Sequence, residues 1–167
     1  LAGEGPKLSP TLLETALDAL EPHPERYEPI YETVRRCRAR LGAETTMLGF
    51  AGSPWTVATY MIAGEGSRDQ HEARALAYRD PEGLRAILDR IVEQTVTYLR
   101  GQIDAGDEAV QLFDSWAGSL APDQFEKQVI APNAAIVAGL KESHPDTPVI
   151  GFPKGAGEKL PSYARET

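Results

Sequence analysis

Three stretches of the chain set side chains capable of chemistry where a fold could use them. In "QLFDSWAG", residues 111–118, Asp114 and Ser115 follow directly on an apolar run. The carboxylate could take up the amides of a turn, and the hydroxyl could donate to a bound carboxylate. In "GFAGSPWTVATYMIAG", residues 49–64, the chain leaves a second apolar run through Gly52, Ser53 and Pro54 and sets Trp55 and Tyr60 beyond them. Aromatic rings near the start of a helix usually pack it onto its neighbours; a phenol at the rim of a cleft orients a polar ligand instead. In "FPKGAG", residues 152–157, Lys154 follows a third apolar run, either as a solvated loop lysine or as a cation set into a cleft.

The familiar catalytic spacings are absent. "HEARA" at 71–75 lacks the second histidine of a zinc-binding HExxH, and "GFPKGAGEK" matches neither the phosphate loop nor the dinucleotide fingerprint. His23 and His144 each precede a proline and His71 sits in a charged segment, so all three read as solvated surface histidines. Cys37, the only cysteine, lies in "RRCRAR". Alone it offers neither an internal disulfide nor a metal-site spacing, and a reducing cytoplasm is the simplest setting.

Seventeen Lys and Arg against 25 Asp and Glu give a net charge of −8. That excludes broad nucleic-acid binding, which needs a basic face. It is compatible with an anionic small molecule, because a few cations focused in a cleft outweigh the global sign locally. No run approaches the ~18 apolar residues of a membrane span. The chain opens on Leu1 with no signal-peptide pattern behind it, and a start without Met points to an excised or incomplete chain.

These residues need elements to position them. Ser9 and Pro10 read as the cap and first residue of a helix carrying Leu12, Leu13, Ala16, Leu17 and Leu20 at helical spacing. "EPHPE" breaks it, and a second helix is expected from about Glu25 to Arg40, stopped by Gly42. "TTMLGF", residues 45–50, reads as a buried strand, and Pro54 opens a helix through Ile62. Asp69 can cap a helix ending near Asp80. Pro81 opens another, with Leu84, Ile87, Leu88, Ile91, Val92, Val96 and Leu99 on one stripe, ending near residues 104–106. "EAVQLFD", residues 108–114, is the next strand, and "SWAGSLA" a loop. A helix over 122–130 is restarted by Pro132 and ends near Ser143. "TPVIGF", residues 147–152, is a third strand, and "PKGAGEK" a loop.

Continuous apolar strands alternating with helices imply a parallel sheet with right-handed crossovers. Both a doubly wound open sheet and part of a (β/α)8 barrel fit. A full barrel takes about 250 residues, so this chain would be a piece of one. In either case chemistry belongs at the C-terminal strand ends, which are the three stretches above.

Together, the three turns resemble the uroporphyrinogen decarboxylase family of the haem pathway. "GFAGSPWTVATYMIAG" fits the family's signature run position by position. "QLFDSWAG" is similar to its second active-site turn, and "FPKGAG" and "GEGP" (residues 3–6) to further family segments. The resemblance runs across essentially the whole chain. It implies an α/β fold, the middle portion of a (β/α)8 TIM barrel, with residues 1–167 as a single incomplete domain lacking the family's N-terminal and C-terminal parts. It implies a carboxy-lyase that removes CO2 from the four acetate side chains of uroporphyrinogen III to give coproporphyrinogen III. The family works as a cytoplasmic homodimer, uses no metal and no organic cofactor, and has no nucleic-acid or membrane partner.

Carried over residue by residue, the resemblance makes Tyr60 the active-site tyrosine and Ser115 the serine that donates to a substrate carboxylate. Phe50 and Gly52 become cleft floor, and Lys154 a weaker match. The family's key aspartate and its carboxylate-binding arginines belong upstream of Leu1, and a cleft histidine beyond Thr167; Asp114 does not match that aspartate. The fragment alone is therefore expected to be inactive, and to leave two free sheet edges and an uncovered inner face. Two other functions fit the same residues. One is a cobalamin- or coenzyme M-linked methyltransferase of the same superfamily, whose zinc ligands would lie in the C-terminal half. The other is a non-catalytic half-barrel that binds a tetrapyrrole or another protein.

Overall fold

A computed structural model describes residues 7–15, 17 and 21–167. The "GEGP" segment, and Ala16 and Leu20 of the expected first helix, lie outside the described residues.

Three strands, β1 (Leu48–Gly52), β2 (Ala109–Asp114) and β3 (Val149–Pro153), form one parallel sheet in the order β1-β2-β3. Parallel neighbours need crossovers, and helices supply them. α1 (Glu28–Arg38) precedes the sheet. α2 (Pro54–Ala63), α3 (His71–Arg79) and α4 (Pro81–Ala105) join β1 to β2. α5 (Pro122–Phe125) and α6 (Ala131–Ser143) join β2 to β3, and α7 (Leu160–Glu166) follows.

The pleat sorts the side chains into two layers. Ala51, Val110 and Leu112 turn towards α4 and α6 and form a core with Leu99, Ile136 and Leu140. The alternate residues Leu48, Phe50, Phe113, Ile150 and Phe152 stay exposed on the other face. A second, larger core gathers around the C-terminal strand ends. It joins Trp55, Ala58 and Ile62 of α2 to Leu84 and Leu88 of α4, Ala117 and Leu120 after β2, Phe125 of α5 and Tyr163 of α7. Among the described residues no helix is long and apolar enough to cross a membrane.

From the second expected helix onward the element order agrees with the expected one; several frames differ. β1 starts at Leu48, not Thr45, because its ladder partner Ala109 begins there; Ala51 and Gly52 therefore belong to the strand. Over described residues 9–15 the helix expected after Ser9 does not form; they make bends and turns instead. The Leu8 and Leu12 amides donate instead to the Gly64 and Met61 carbonyls at the end of α2. The second helix splits into a 3-10 turn, Pro24–Tyr27, and α1; Pro29 has no amide to bond back to Glu25. Pro132 does not restart a helix after a break. A π-helical segment, Glu126–Ile130, links α5 to α6 without interruption, and its wider turn absorbs the missing proline donor. The cap position of α3 falls on Gln70, not on Asp69 as expected; Asp69 stands one residue earlier, its carboxylate accepting from the His71 amide at 3.2 Å. α7 follows the expected loop "PKGAGEK", over residues for which no element was foreseen.

Candidate active site

The three strand-end turns are stitched to one another by backbone bonds. The Ser53 amide donates to the Phe113 carbonyl at 2.9 Å, the Lys154 amide to Asp114 at 3.0 Å, and the Gly118 amide to Lys154 at 3.0 Å. Pro54 then starts α2 two residues beyond β1, so the helix rises straight from the strand-end face. Lys159 holds the turn after β2 from above. Its ammonium donates to the Leu120 carbonyl at 2.6 Å and sits 4.9 Å from the Phe125 ring centroid.

On the uncovered face the strands present a row of phenylalanines. Phe50 is 61% exposed, Phe113 38% and Phe152 47%. Their rings meet edge to face, 5.9 Å apart between Phe50 and Phe113 and 5.8 Å between Phe113 and Phe152. Phe113 and Phe152 are ladder partners, whereas Phe113 lies opposite Gly52, two residues beyond Phe50. Phe50 is clamped from the side of the free edge: its amide donates to the Gln102 side chain at 3.0 Å and its carbonyl accepts from it at 3.1 Å. The sequence alone singled out neither Gln102 nor the other two rings. The available signal was a phenylalanine just ahead of each strand-end turn, in "GFAG", "LFDS" and "GFPK".

Of the four candidate residues, Phe50 and Gly52 share this face. Gly52 lies so close to α2 that a side chain there would begin 2.9 Å from Val57 Cγ2. Tyr60 is one turn beyond Val57, half-buried, with the edge of its ring set against Gly66. Ser115 is exposed at the tip of β2. Among the described residues, no hydrogen bond or ring contact joins Tyr60 to Ser115 or to Phe50. Lys154 is exposed too; its backbone, not its side chain, holds the turns together.

A cavity of about 560 Å³ opens beside two of these residues. It runs along the free edge of β1, between Phe50 and Gly52, Tyr27 of the 3-10 turn, and Ile91 and Tyr98 of α4; neither Tyr60 nor Ser115 lines it. Among the described residues β1 has no strand partner on this side, so the cavity lies along an open edge of the sheet. His144 corrects another expectation. It is half-buried near the N-terminal end of the sheet, Nε2 3.0 Å from Asp104 Oδ1 and Nδ1 2.9 Å from Ser143 Oγ.

Asp114 points the opposite way from Phe113 and Ser115. It is 0% exposed, beneath α2, and accepts a 2.7 Å bond from the Thr56 hydroxyl. Burial pushes its pKa up to about 6, against the opposing pull of Thr56, the Trp116 amide and Asn133.

The family model described as "Uroporphyrinogen decarboxylase (URO-D)" matches residues 1–167. The chain belongs to the uroporphyrinogen decarboxylase family. It is 71% identical over 167 residues to a uroporphyrinogen decarboxylase of Erythrobacter litoralis, covering 100% of this chain and 49% of the relative. A uroporphyrinogen decarboxylase of Novosphingobium aromaticivorans is 65% identical over the same 167 residues, again 100% of this chain and 49% of the relative. One of Roseobacter denitrificans is 49% identical over 170 residues, 100% of this chain and 49% of the relative. The chain thus spans about half the length of the curated relatives it matches. The family's TIM barrel accounts for the two open sheet edges and the bare face: three parallel strands with helical crossovers are one part of its wall.

Proposed function

We propose that this chain forms one wall of the cleft in a uroporphyrinogen decarboxylase, which replaces the carboxylates of four acetate side chains by protons. The observation that carries this is the family match over all 167 residues. Loss of CO2 leaves an electron pair on the acetate carbon, and a pyrrole protonated at carbon takes that pair up. The resulting methylene then accepts a proton and the ring returns its own, so each step exchanges CO2 for H+. The protein's part is to bind the macrocycle, orient the reacting acetate and manage charge.

The residues fit these tasks. Phe50, Phe113 and Phe152 give a continuous apolar surface of rings packed edge to face, which suits contact with a tetrapyrrole. The Ser115 hydroxyl donates to a substrate carboxylate, and the Tyr60 phenol orients the acetate that reacts. The full-length enzyme acts as a cytoplasmic homodimer without metal or organic cofactor.

A chimera tests this: these 167 residues replace the matching segment of the Erythrobacter litoralis relative, and coproporphyrinogen formation from uroporphyrinogen III is followed. Turnover by the chimera supports the proposal. A folded chimera that only binds porphyrin would favour a non-catalytic module, and methyl transfer to a thiol would favour the methyltransferase. Sedimentation and metal analysis of the same sample check the oligomeric state and the metal content.

A further inference from the structure

Asp114 is a fully buried carboxyl that the proposed chemistry does not use. It sits where three supports of the cleft meet. Thr56 of α2 donates to its Oδ1, Asn133 of α6 faces it, and its backbone precedes Ser115. Its Oδ2 has no hydrogen-bond partner, and neither has Asn133 Oδ1, although Asn133 Nδ2 donates to the Val129 carbonyl at 2.8 Å. A buried acceptor left without a donor is costly, and α2, β2 and α6 meet around two of them. No charged side chain faces the carboxyl among the described residues. The one titratable neighbour is Tyr163 of α7, which burial and Asp114 push up to about 12 and which stays neutral.

A proton on Asp114 changes this arrangement. It converts Oδ2 from an unpartnered acceptor into a donor, and Asn133 Oδ1 on α6 is a buried acceptor that lacks one. We infer that Asp114 is a positioning residue whose neutral acid form ties α2 to α6 and so holds the Tyr60 helix and the Ser115 turn in register. The link is short: Thr56 is one turn before Tyr60 on α2, and Ser115 is the next residue along β2's exit.

The kinetic part of this inference rests on the proposed decarboxylase function; the stability part does not. In the chimera, Asp114→Asn reproduces the neutral acid and Asp114→Ala removes the tie. We expect kcat/KM of the unsubstituted chimera to fall on the alkaline side of about pH 6. Asp114→Asn should abolish that fall and stay within about threefold of the chimera at pH 6, while Asp114→Ala loses tenfold or more at every pH. In melts, Asp114→Asn should exceed the chimera at pH 7.5, with the gap closing by about pH 4. An alkaline fall that survives in Asp114→Asn, or an Asp114→Asn as impaired as Asp114→Ala, overturns the inference. Where Asp114→Ala fails to fold, Asp114→Asn decides alone. Where the chimera shows no turnover, the proposed function fails, and the melts still decide: a gap independent of pH overturns the neutral-acid tie.

Discussion

The two faces of the sheet are built from alternate residues of the same three strands, and they differ in what holds them. On one face Ala51, Val110 and Leu112 are packed beneath α4 and α6. On the other Leu48, Phe50, Phe113, Ile150 and Phe152 are exposed, although they are as apolar. Neighbours in sequence, such as Leu112 and Phe113, thus serve different ends: the first stabilises the fold, and the second is available to a ligand. An exposed apolar row of this size on a folded protein marks a surface meant to be covered. In a barrel wall that surface faces the interior, and under the proposed function its strand-end rings line the cleft.

Substitutions can break this contrast one side at a time, all in the chimera. The largest effect belongs to the packed face: Leu112→Ala should cost about 2–5 kcal/mol in urea unfolding, because it leaves a cavity under α4 and α6. Asp114→Asn should act in the opposite direction. Its folded pKa lies near 6 against an ordinary 3.8, so the folded state holds the proton more tightly than the unfolded one. The stability this acid contributes is full below about pH 4 and is lost as pH rises through 6. The asparagine variant should therefore gain on the order of 3 kcal/mol at neutral pH, read from unfolding curves at pH 4 and 7.5.

Effects on the open side should appear in kinetics. Ser115→Ala removes one hydrogen bond to a charged group and should weaken substrate binding by roughly 1.5–3 kcal/mol, with the melt unmoved. Tyr60→Phe should cut turnover and leave the fold intact. Unchanged kinetics in both would return these side chains to structural roles. The smallest change in stability is expected for Phe113→Ala, within about 1 kcal/mol, because its ring is already open to solvent.

The strands and most helices were legible because apolar runs ended in Gly and Pro. What failed depended on distant partners. The leucines from Leu12 onward have helical spacing, yet Leu8 and Leu12 spend their amides on the end of α2. The frame of β1 was set by Ala109, sixty-one residues further on than Leu48. The π segment before Pro132 reflects a helix already held by Phe125 and Val129 in the core, which no local rule conveys. In the site, Tyr60 and Ser115 stood out only through the motif resemblance; on physical grounds alone Tyr60 read as packing. The opposite orientations of Asp114 and Ser115 follow from the pleat once Val110 and Leu112 are placed inside, so that part was available from the alternation. The Phe113 and Phe152 partners of Phe50 needed the register, which only the folded sheet supplies.

The most direct test of the contrast sets Phe113→Ala beside the unsubstituted chimera, with coproporphyrinogen formation and thermal melting measured on both. A cleft wall predicts a loss of tenfold or more in kcat/KM with the melt nearly unchanged. Equal kinetics, or a loss that simply tracks a lowered melting temperature, would contradict it.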